Sequence, residues 1–241
     1  MINDEYSFKL AIKILKENNI HFWLCHGTLL GAIRENRLLP WDHDIDIGIW
    51  SDQHSKNQIL NIFKNEQKFK QTIVPEETDN LHFLYGSKRV DINFYKKNSE
   101  IAYIKWIAPG NKINRFLFVI GYFIYGNASI KASIEASSLY AKTLKIALIF
   151  LFIPFRFLLS NNIKINIKNL IKSRTNYTGY SYPMELMKFK NFNFLGEVIP
   201  IPIKSEEVLE MTYGKDWKVQ KKNFVWHKEA KNLLSQNEVD S

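Results

Sequence analysis

Three aspartates at alternate positions, Asp42, Asp44 and Asp46, have the clearest chemical potential in this sequence. Alternate side chains of a β-strand point to one face, so the three carboxylates would project together and the interleaved isoleucines to the other side. Aspartate clusters also occur in turns, but the isoleucines between these acids favour a strand. Carboxylates packed this closely repel one another unless a cation lies between them, and Mg²⁺ prefers such oxygen ligands. The pattern therefore predicts a Mg²⁺ site, with Mn²⁺ as the alternative.

A fourth acid, Asp91, lies in the apolar run RVDINFY. An aspartate inside an apolar strand is unusual unless it faces a site or a partner. We predict that Asp44, Asp46 and Asp91 are the catalytic residues and hold the cation. Asp42 has three alternatives: an outer ligand, a partner for an ammonium group of the substrate, or a plain surface acid.

A glycine turn, Gly27-Thr28, lies between a short apolar strand and a helix. Such a turn collects free N–H groups at one point, which favours an anion such as phosphate. Arg34 on that helix could add a bidentate phosphate contact or form a surface ion pair, and the sequence leaves these two roles even. For His26 a structural hydrogen bond is favoured over catalysis. For Trp41 a core role is favoured over stacking on a nucleobase or a quaternary ammonium.

Periodicity predicts the elements that must position these residues. Apolar side chains at helical spacing predict helices over 3–18 and 55–67 and one that starts at about Ser205 and ends near Gly214. Short apolar runs predict a strand over 20–25 and a hairpin formed by Leu81–Tyr85 and Arg89–Tyr95. Residues 163–174 could form a strand or a helix, and 176–183 are expected to be a tyrosine-rich loop.

Composition narrows the class of protein. The chain has 241 residues, 46% of them apolar, which is enough for a sizeable core. Its formal charge of +9 suggests an anionic partner: a nucleotide, a nucleic acid or an anionic membrane. No nucleic-acid-binding module is recognisable, so we expect no nucleic-acid partner. A single cysteine and an N-terminus unlike a secretory signal predict a cytoplasmic protein.

Residues 113–159 contain two intensely apolar runs, INRFLFVIGYFIYG and LKIALIFLFIPFRFLL, interspersed with lysine and arginine. Each run is short for a membrane span, which needs about 20 apolar residues. The segment is either a helical subdomain packed as ordinary core or a pair of helices at the surface of an anionic bilayer. We slightly favour peripheral contact with the inner face of the cytoplasmic membrane.

The stretch HGTLLGAIRENRLLPWDHDIDIGIW resembles the signature of the LicD family, whose relatives include the fukutin and fukutin-related proteins. The later runs RVDINFY and MTYGKDW resemble its second acidic strand and its C-terminal segment. The resemblance covers roughly the first 95 and the last 50 residues. Three positions depart from the family pattern: His43, Asn93-Phe94 and Gln220-Lys221-Lys222.

The resemblance implies an α+β, nucleotidyltransferase-like fold with a short mixed sheet flanked by helices and an apolar helical insertion. Its expected divisions are a catalytic core over 1–105, the insertion over 106–175, and a C-terminal segment over 176–241 that packs back on the core. The implied activity is transfer of a substituted phosphate, such as phosphocholine or ribitol phosphate, from a CDP-linked donor to a sugar hydroxyl of a glycan or lipid-linked glycan. Gly27 and Thr28 would cradle phosphate, Arg34 would balance charge on the leaving CMP, and Asp91 could accept the hydroxyl proton.

Two other functions remain open. One is transfer of a nucleoside monophosphate to a small molecule, RNA or protein by the same fold. The other is a non-catalytic assembly protein at a membrane surface. The complete set of acids favours the enzymes.

Overall fold

The computed structural model of the chain describes residues 4–66, 68–71, 78–85, 88–107, 124, 139–173, 176–221 and 224–234. The helices in these ranges are α1 (Asp4–Glu17), α2 (His26–Glu35), α3 (Lys56–Asn65), α4 (Leu139–Leu158), α5 (Asn161–Ser173), α6 (Ser205–Tyr213) and α7 (Trp226–Glu229), with a 3₁₀ turn at Met184–Leu186. The strands are β1 (Phe22–Leu24), β2 (Asp44–Trp50), β3 (Lys70–Gln71), β4 (Asn80–Tyr85), β5 (Lys88–Lys97), β6 (Ile101–Ile107), β7 (Tyr177–Pro183), β8 (Phe189–Phe194) and β9 (Glu197–Pro202).

Strands β1 to β7 form one mixed sheet. Its main path runs β1-β2-β5-β4-β3, and β6 joins β5 and β7. The pair β2 and β5 is parallel and the other pairs are antiparallel. Strands β8 and β9 form a separate two-stranded sheet. The predicted α+β class with a mixed sheet and flanking helices is confirmed.

The register between β2 and β5 gives the sheet two unlike faces. Asp44 is opposite Arg89 and Asp46 is opposite Asp91, so these charged side chains share one face. The side chains on the other face are almost completely buried and entirely apolar: Ile45, Ile47, Ile49, Val90, Ile92 and Phe94. Burial of this second face fixes the register, because a slip of one residue would exchange the two faces.

Helix α1 packs its apolar side against this core, with Phe8, Ala11, Ile12 and Leu15 completely buried. The Ser55 hydroxyl caps α3 by accepting a hydrogen bond from the Gln58 N–H at 3.1 Å. Gly214 follows α6 with φ of +89°, a conformation that glycine adopts without the steric cost that a Cβ would bring.

Several boundaries differ from the sequence predictions. Helix α2 begins at His26, so Gly27 and Thr28 lie in its first turn and do not form a separate turn before it. Strand β2 begins at Asp44, which leaves Asp42 in the preceding loop. The expectation of a loop over 176–183 was wrong, because these tyrosines pair with β6 as strand β7 over seven positions. The residues between the two hairpin strands, 86–87, lie outside the described ranges, as does most of 108–138.

Helix α4 exposes large apolar side chains to solvent. Phe150 is 78% and Phe157 81% exposed, and Leu151, Phe155 and Leu158 are exposed as well. The predicted interval 163–174, left open between strand and helix, lies largely within helix α5. Among the described helices, none combines the length and the apolar character that crossing a bilayer requires.

Candidate active site

The carboxylates of Asp42, Asp44 and Asp46 meet at the start of β2. One oxygen from each lies within 4.8 Å of one oxygen from each of the others. Asp44 and Asp46 reach this point from the strand, while Asp42 reaches it from the loop that precedes the strand. The structure thus brings Asp42, the aspartate with the most open role in the sequence, into the same group as the other two.

Gly27 makes room for this group. A Cβ atom at Gly27 would lie 2.0 Å from Oδ2 of Asp42 and 3.4 Å from Oδ2 of Asp46. A side chain at position 27 would therefore displace the Asp42 carboxylate. The absence of a side chain at Gly27 therefore allows the acids to approach the first turn of α2.

Thr28 and Gly27 also hold Asp46. The Gly27 N–H donates to Oδ2 of Asp46 at 3.1 Å, and the Thr28 Oγ1 accepts from the Asp46 N–H at 2.8 Å. Thr28 is buried. These two bonds tie the first turn of α2 to the start of β2. The two groups predicted to cradle phosphate both contact Asp46, Gly27 at the carboxylate and Thr28 at the backbone N–H.

Arg89 bridges two acids of this face. Its Nε lies 2.6 Å from Oδ1 of Asp91, and one terminal nitrogen lies 2.7 Å from Oδ2 of Asp91 and 2.7 Å from Oδ2 of Asp44. His82 Nε2 lies 3.4 Å from Oδ2 of Asp91 on the other side. Asp91 thus shares the face of Asp44 and Asp46 but is held by a guanidinium, and its role as a metal ligand stays a prediction.

The acids raise one another's pKa. Burial and the neighbouring Asp44 raise the pKa of Asp42 to about 8. Burial and the charges of Asp44 and Asp42 raise the pKa of Asp46 well above its usual value. Burial also raises the pKa of Asp91 to about 7, against the opposing effect of Arg89. Burial is the largest cause of these shifts and repulsion among the acids adds to it, and a divalent cation between the carboxylates would favour their charged forms.

The three carboxylates have the chemistry of a binding site for a hard cation. Three carboxylates supply only oxygen, the ligand atom that Mg²⁺ prefers in proteins. Asp42, Asp44 and Asp46 are the residues that would hold the ion.

Two further contacts fix the surroundings of the acids. His26 has a positive φ of 46°, and its Nε2 lies 3.0 Å from the Tyr95 hydroxyl. Burial lowers the pKa of His26 to about 3, so the imidazole is neutral. Lys88 is buried, and its ammonium donates to the carbonyl oxygens of Leu39, at 3.1 Å, and of Asp42.

Arg34 does not line the same cavity as the acids. Its guanidinium bonds Glu35 at 2.8 Å and the Trp217 carbonyl at 3.2 Å, and lies 6.0 Å from the Trp41 ring centre. This matches the ion-pair alternative for Arg34 more closely than the phosphate contact. The guanidinium that faces the acids belongs to Arg89. The charge-balancing role assigned to Arg34 is left as a prediction without a supporting contact.

The acids open into a cavity of about 560 Å³. An aromatic wall of this cavity comes from five separate parts of the chain: Trp41, Trp106, Tyr180, Tyr213, Phe224 and Trp226. Trp106 packs edge-on against Tyr180 at 5.0 Å and against Trp226 at 5.2 Å between ring centres. A wall of this kind suits a planar base or a cationic headgroup.

Sequence reasoning missed Arg89, His82, Lys88 and the aromatic wall. Arg89 stands two residues before Asp91, and that alternation could have placed it on the acidic face. Apart from Trp41, the wall gave no local signal, because Trp106, Tyr180 and Trp226 meet only through the pairing of β6 with β7 and the return of the C-terminal segment.

A mixed sheet with flanking helices and an acidic strand beside the first turn of a helix defines a domain of the nucleotidyltransferase-like class. Within that class, one family model matches part of the sequence. Residues 19–118 match the model of the LicD family, described as "LicD/FKTN/FKRP, nucleotidyltransferase domain". The predicted resemblance to the LicD family is therefore confirmed over residues 19–118.

Curated relatives also match parts of the chain. An uncharacterized protein of Rickettsia typhi is 30% identical over 122 residues, which cover 49% of this chain and 38% of that protein. Ribitol 5-phosphate transferase FKRP of Homo sapiens is 38% identical over 42 residues, 17% of this chain and 8% of the relative. Ribitol-5-phosphate transferase FKTN of Mus musculus is 38% identical over 52 residues, 22% of this chain and 11% of the relative. The chain thus aligns with well under half the length of each of these relatives.

Proposed function

We propose that this chain transfers a substituted phosphate group from a CDP-linked donor to a hydroxyl of a glycan or lipid-linked glycan, in the presence of Mg²⁺ or Mn²⁺. The observation that carries the proposal is the meeting of Asp42, Asp44 and Asp46 in a cavity that is also lined by aromatic side chains. The match of residues 19–118 to the LicD family and the partial similarity to the ribitol phosphate transferases FKRP and FKTN support the same class of reaction.

The cavity offers each part of such a donor a suitable surface. The acids would hold the cation, which when bound supplies charge neutralisation to the phosphates. The aromatic wall, with Trp41, Trp106 and Trp226, would stack on the cytosine base or face the substituent of the transferred phosphate. Phosphoryl transfer asks a protein mainly for positioning, and both surfaces are built of buried or half-buried side chains.

Asp91 is the residue proposed to accept the proton of the attacking hydroxyl. It lies in register with Asp46 on the same face, and its pKa of about 7 suits a general base near neutral pH. Arg89 would then contact donor phosphate through its planar guanidinium.

A donor screen tests the proposal. The purified chain is incubated with CDP-choline, CDP-ribitol or CDP-glycerol, a glycan acceptor and Mg²⁺, and release of CMP is measured together with the phosphate ester on the glycan. We expect one donor to give acceptor-dependent CMP release, and Asp44→Asn to lower the rate at least about a hundredfold, since charge neutralisation of this kind contributes several kcal/mol. Full activity of Asp44→Asn would reject the enzymatic proposal.

Nucleotidyl transfer is the second candidate, and the same reaction distinguishes it. In that case the nucleoside monophosphate would be found on the acceptor and would not be released. Labelled ATP and CTP offered with the same acceptors complete the comparison. A labelled AMP or CMP adduct would replace the phosphotransferase proposal with this one.

The exposed side chains of helix α4 support the proposed contact with an anionic membrane surface. They limit the proposed contact region, first predicted over 113–159, to one apolar stripe. Phe150, Leu151, Phe157 and Leu158 form an exposed apolar stripe at helical spacing. Residues 139–173 contain six basic residues and no acidic ones, which complements an anionic surface. Such contact would place the site beside a lipid-linked acceptor.

Vesicle sedimentation tests this contact. The chain should sediment with phosphatidylcholine vesicles that contain phosphatidylglycerol, and the double change Phe150→Asn, Phe157→Asn should release it. The control Val198→Asn, Val219→Asn removes two other exposed apolar side chains, 50% and 68% exposed, and should change nothing. Concentration-dependent dimers without lipid, abolished by the first pair alone, would show that a second copy covers the stripe.

A further inference from the structure

The acidic face already holds a positive charge of the chain itself. The Arg89 guanidinium bonds both oxygens of Asp91 and one oxygen of Asp44, each within 2.7 Å. Asp44 is also one of the three acids that would hold the cation. One carboxylate therefore belongs to two groups, one gathered by a guanidinium and one suited to a metal ion.

The only other cationic side chain of the described cavity lining is Lys221, which is 61% exposed and bonds Glu229. Arg89, by contrast, is placed by β5 directly opposite Asp44. The Arg89 guanidinium is therefore the positive charge nearest to a divalent cation bound at the acids. Two cations that share a carboxylate repel each other.

We propose that Arg89 is a positioning residue that competes with the divalent cation for the acids and turns to the donor phosphate, so that cation and donor bind cooperatively. The proposal rests on the proposed transferase function. A phosphate offers the planar guanidinium two parallel hydrogen bonds, a partner equivalent to Asp91. When Arg89 turns to the donor, Asp44 is left to the cation and both oxygens of Asp91 are released.

Cooperativity of this kind is reciprocal. If the nucleotide strengthens binding of the cation by a given factor, the cation strengthens binding of the nucleotide by the same factor. Asp91 is released when Arg89 turns to the donor phosphate. Its carboxylate is therefore free to accept a proton only when cation and donor are both bound. The chain would then protect the donor from premature attack until both components are present.

Calorimetric titration of the full chain with Mn²⁺ alone, CDP alone, and Mn²⁺ in saturating CDP tests the proposal, with the association of Mn²⁺ and CDP measured separately. Wild type should bind Mn²⁺ about tenfold more tightly with CDP, within the usual range of such coupling. Arg89→Gln should bind Mn²⁺ alone about tenfold more tightly than wild type, because the competing charge is gone, and should lose most of the CDP effect.

Two variants make the result specific. Arg37→Gln removes the same charge from an exposed arginine that pairs with Glu35, and it should behave as wild type. Arg89→Lys keeps the charge, and it should keep the weak binding of Mn²⁺ alone. Circular dichroism shows whether each variant is folded.

The proposal is overturned if folded Arg89→Gln binds Mn²⁺ alone as tightly as the wild type or more weakly. It is also overturned if CDP does not change the affinity of the wild type for Mn²⁺. None of these titrations requires transfer. A chain that shows the coupling without transferring phosphate would reject the proposed reaction alone, and a chain that transfers phosphate without the coupling would reject the role of Arg89 alone.

Discussion

Gly27 lies so close to Asp42 that a Cβ atom on the glycine would be 2.0 Å from Oδ2 of the aspartate. Gly27 is in the first turn of α2 and does not have a positive φ, so its backbone would accept alanine. The requirement for glycine is therefore one of space for a carboxylate. It couples the helix that precedes the acids to the loop that delivers Asp42.

We predict that Gly27→Ala weakens binding of Mn²⁺ at least about tenfold while the free energy of unfolding changes by less than about 1 kcal/mol. The clash falls on the tip of a side chain that can turn away, and alanine is favoured over glycine in a helix. Calorimetry and urea unfolding measure the two effects. In an Asp42→Ala background Gly27→Ala should have no further effect on Mn²⁺ binding, because the two changes act on one contact. Additive effects would contradict this explanation.

Lys88→Met should destabilise the chain by about 2 kcal/mol, because the buried ammonium donates to the carbonyls of Leu39 and Asp42 and its loss leaves both unsatisfied. The loop that delivers Asp42 should loosen, and binding of Mn²⁺ should weaken with it. Lys97→Met on the same strand serves as the control. It removes a partly exposed pair with Asp52 and should cost less than about 1 kcal/mol. Equal losses in the two variants would show that Lys88 has no special role.

His26 should make the chain less stable as the pH falls. Its folded pKa of about 3 lies below the usual value of 6.5, so the unfolded chain binds the extra proton first. Stability is lost by up to about 1.4 kcal/mol for each pH unit below about 6.5. His26→Asn, which tolerates the positive φ, should reduce this loss between about pH 7 and about pH 5. The measurement is urea unfolding at both pH values.

Tyr95→Phe is the matched control for His26. It removes the hydrogen bond at Nε2 of His26 but leaves the imidazole in its buried place. The variant should be less stable at every pH and should keep the dependence on pH. If Tyr95→Phe and His26→Asn flatten the pH profile equally, burial of the imidazole is not the cause.

Removal of divalent cation should abolish transfer reversibly. EDTA should stop the reaction and Mg²⁺ or Mn²⁺ should restore it, and either ion should raise the melting temperature of the wild type by about 4 °C or more as it relieves repulsion among the acids. Asp46→Asn should show no such rise, since it removes one of the three carboxylates that would hold the ion. Transfer that continues in EDTA would exclude the cation from the mechanism.

The local part of this site was accessible from the sequence. Alternation of acids with isoleucines placed Asp44 and Asp46 on one face, and the apolar flanks of Asp91 placed it in a strand, which the structure pairs with that of Asp44 and Asp46. The family signature then predicted the α+β fold. These features depend on residues within one strand, where alternate side chains point to the same face of the sheet.

The rest depended on contacts between distant elements. A run of tyrosines and a glycine suggested a loop at 176–183, yet pairing with β6 makes it a strand. The bond of Arg34 to the Trp217 carbonyl joins residues 183 positions apart, so no local pattern could have shown where that guanidinium lies. Propensity is a weak guide wherever partners of this kind decide the structure.

The parallel pairing of β2 with β5 also constrains how this sequence can change length. Loss of one residue inside β5 would carry Arg89 and Asp91 into the apolar interior and bring Val90 and Ile92 out to the acids. Insertions in the connection between the two strands leave that alignment intact. Length variation among descendants of this chain should therefore accumulate in the crossover and spare the two strands.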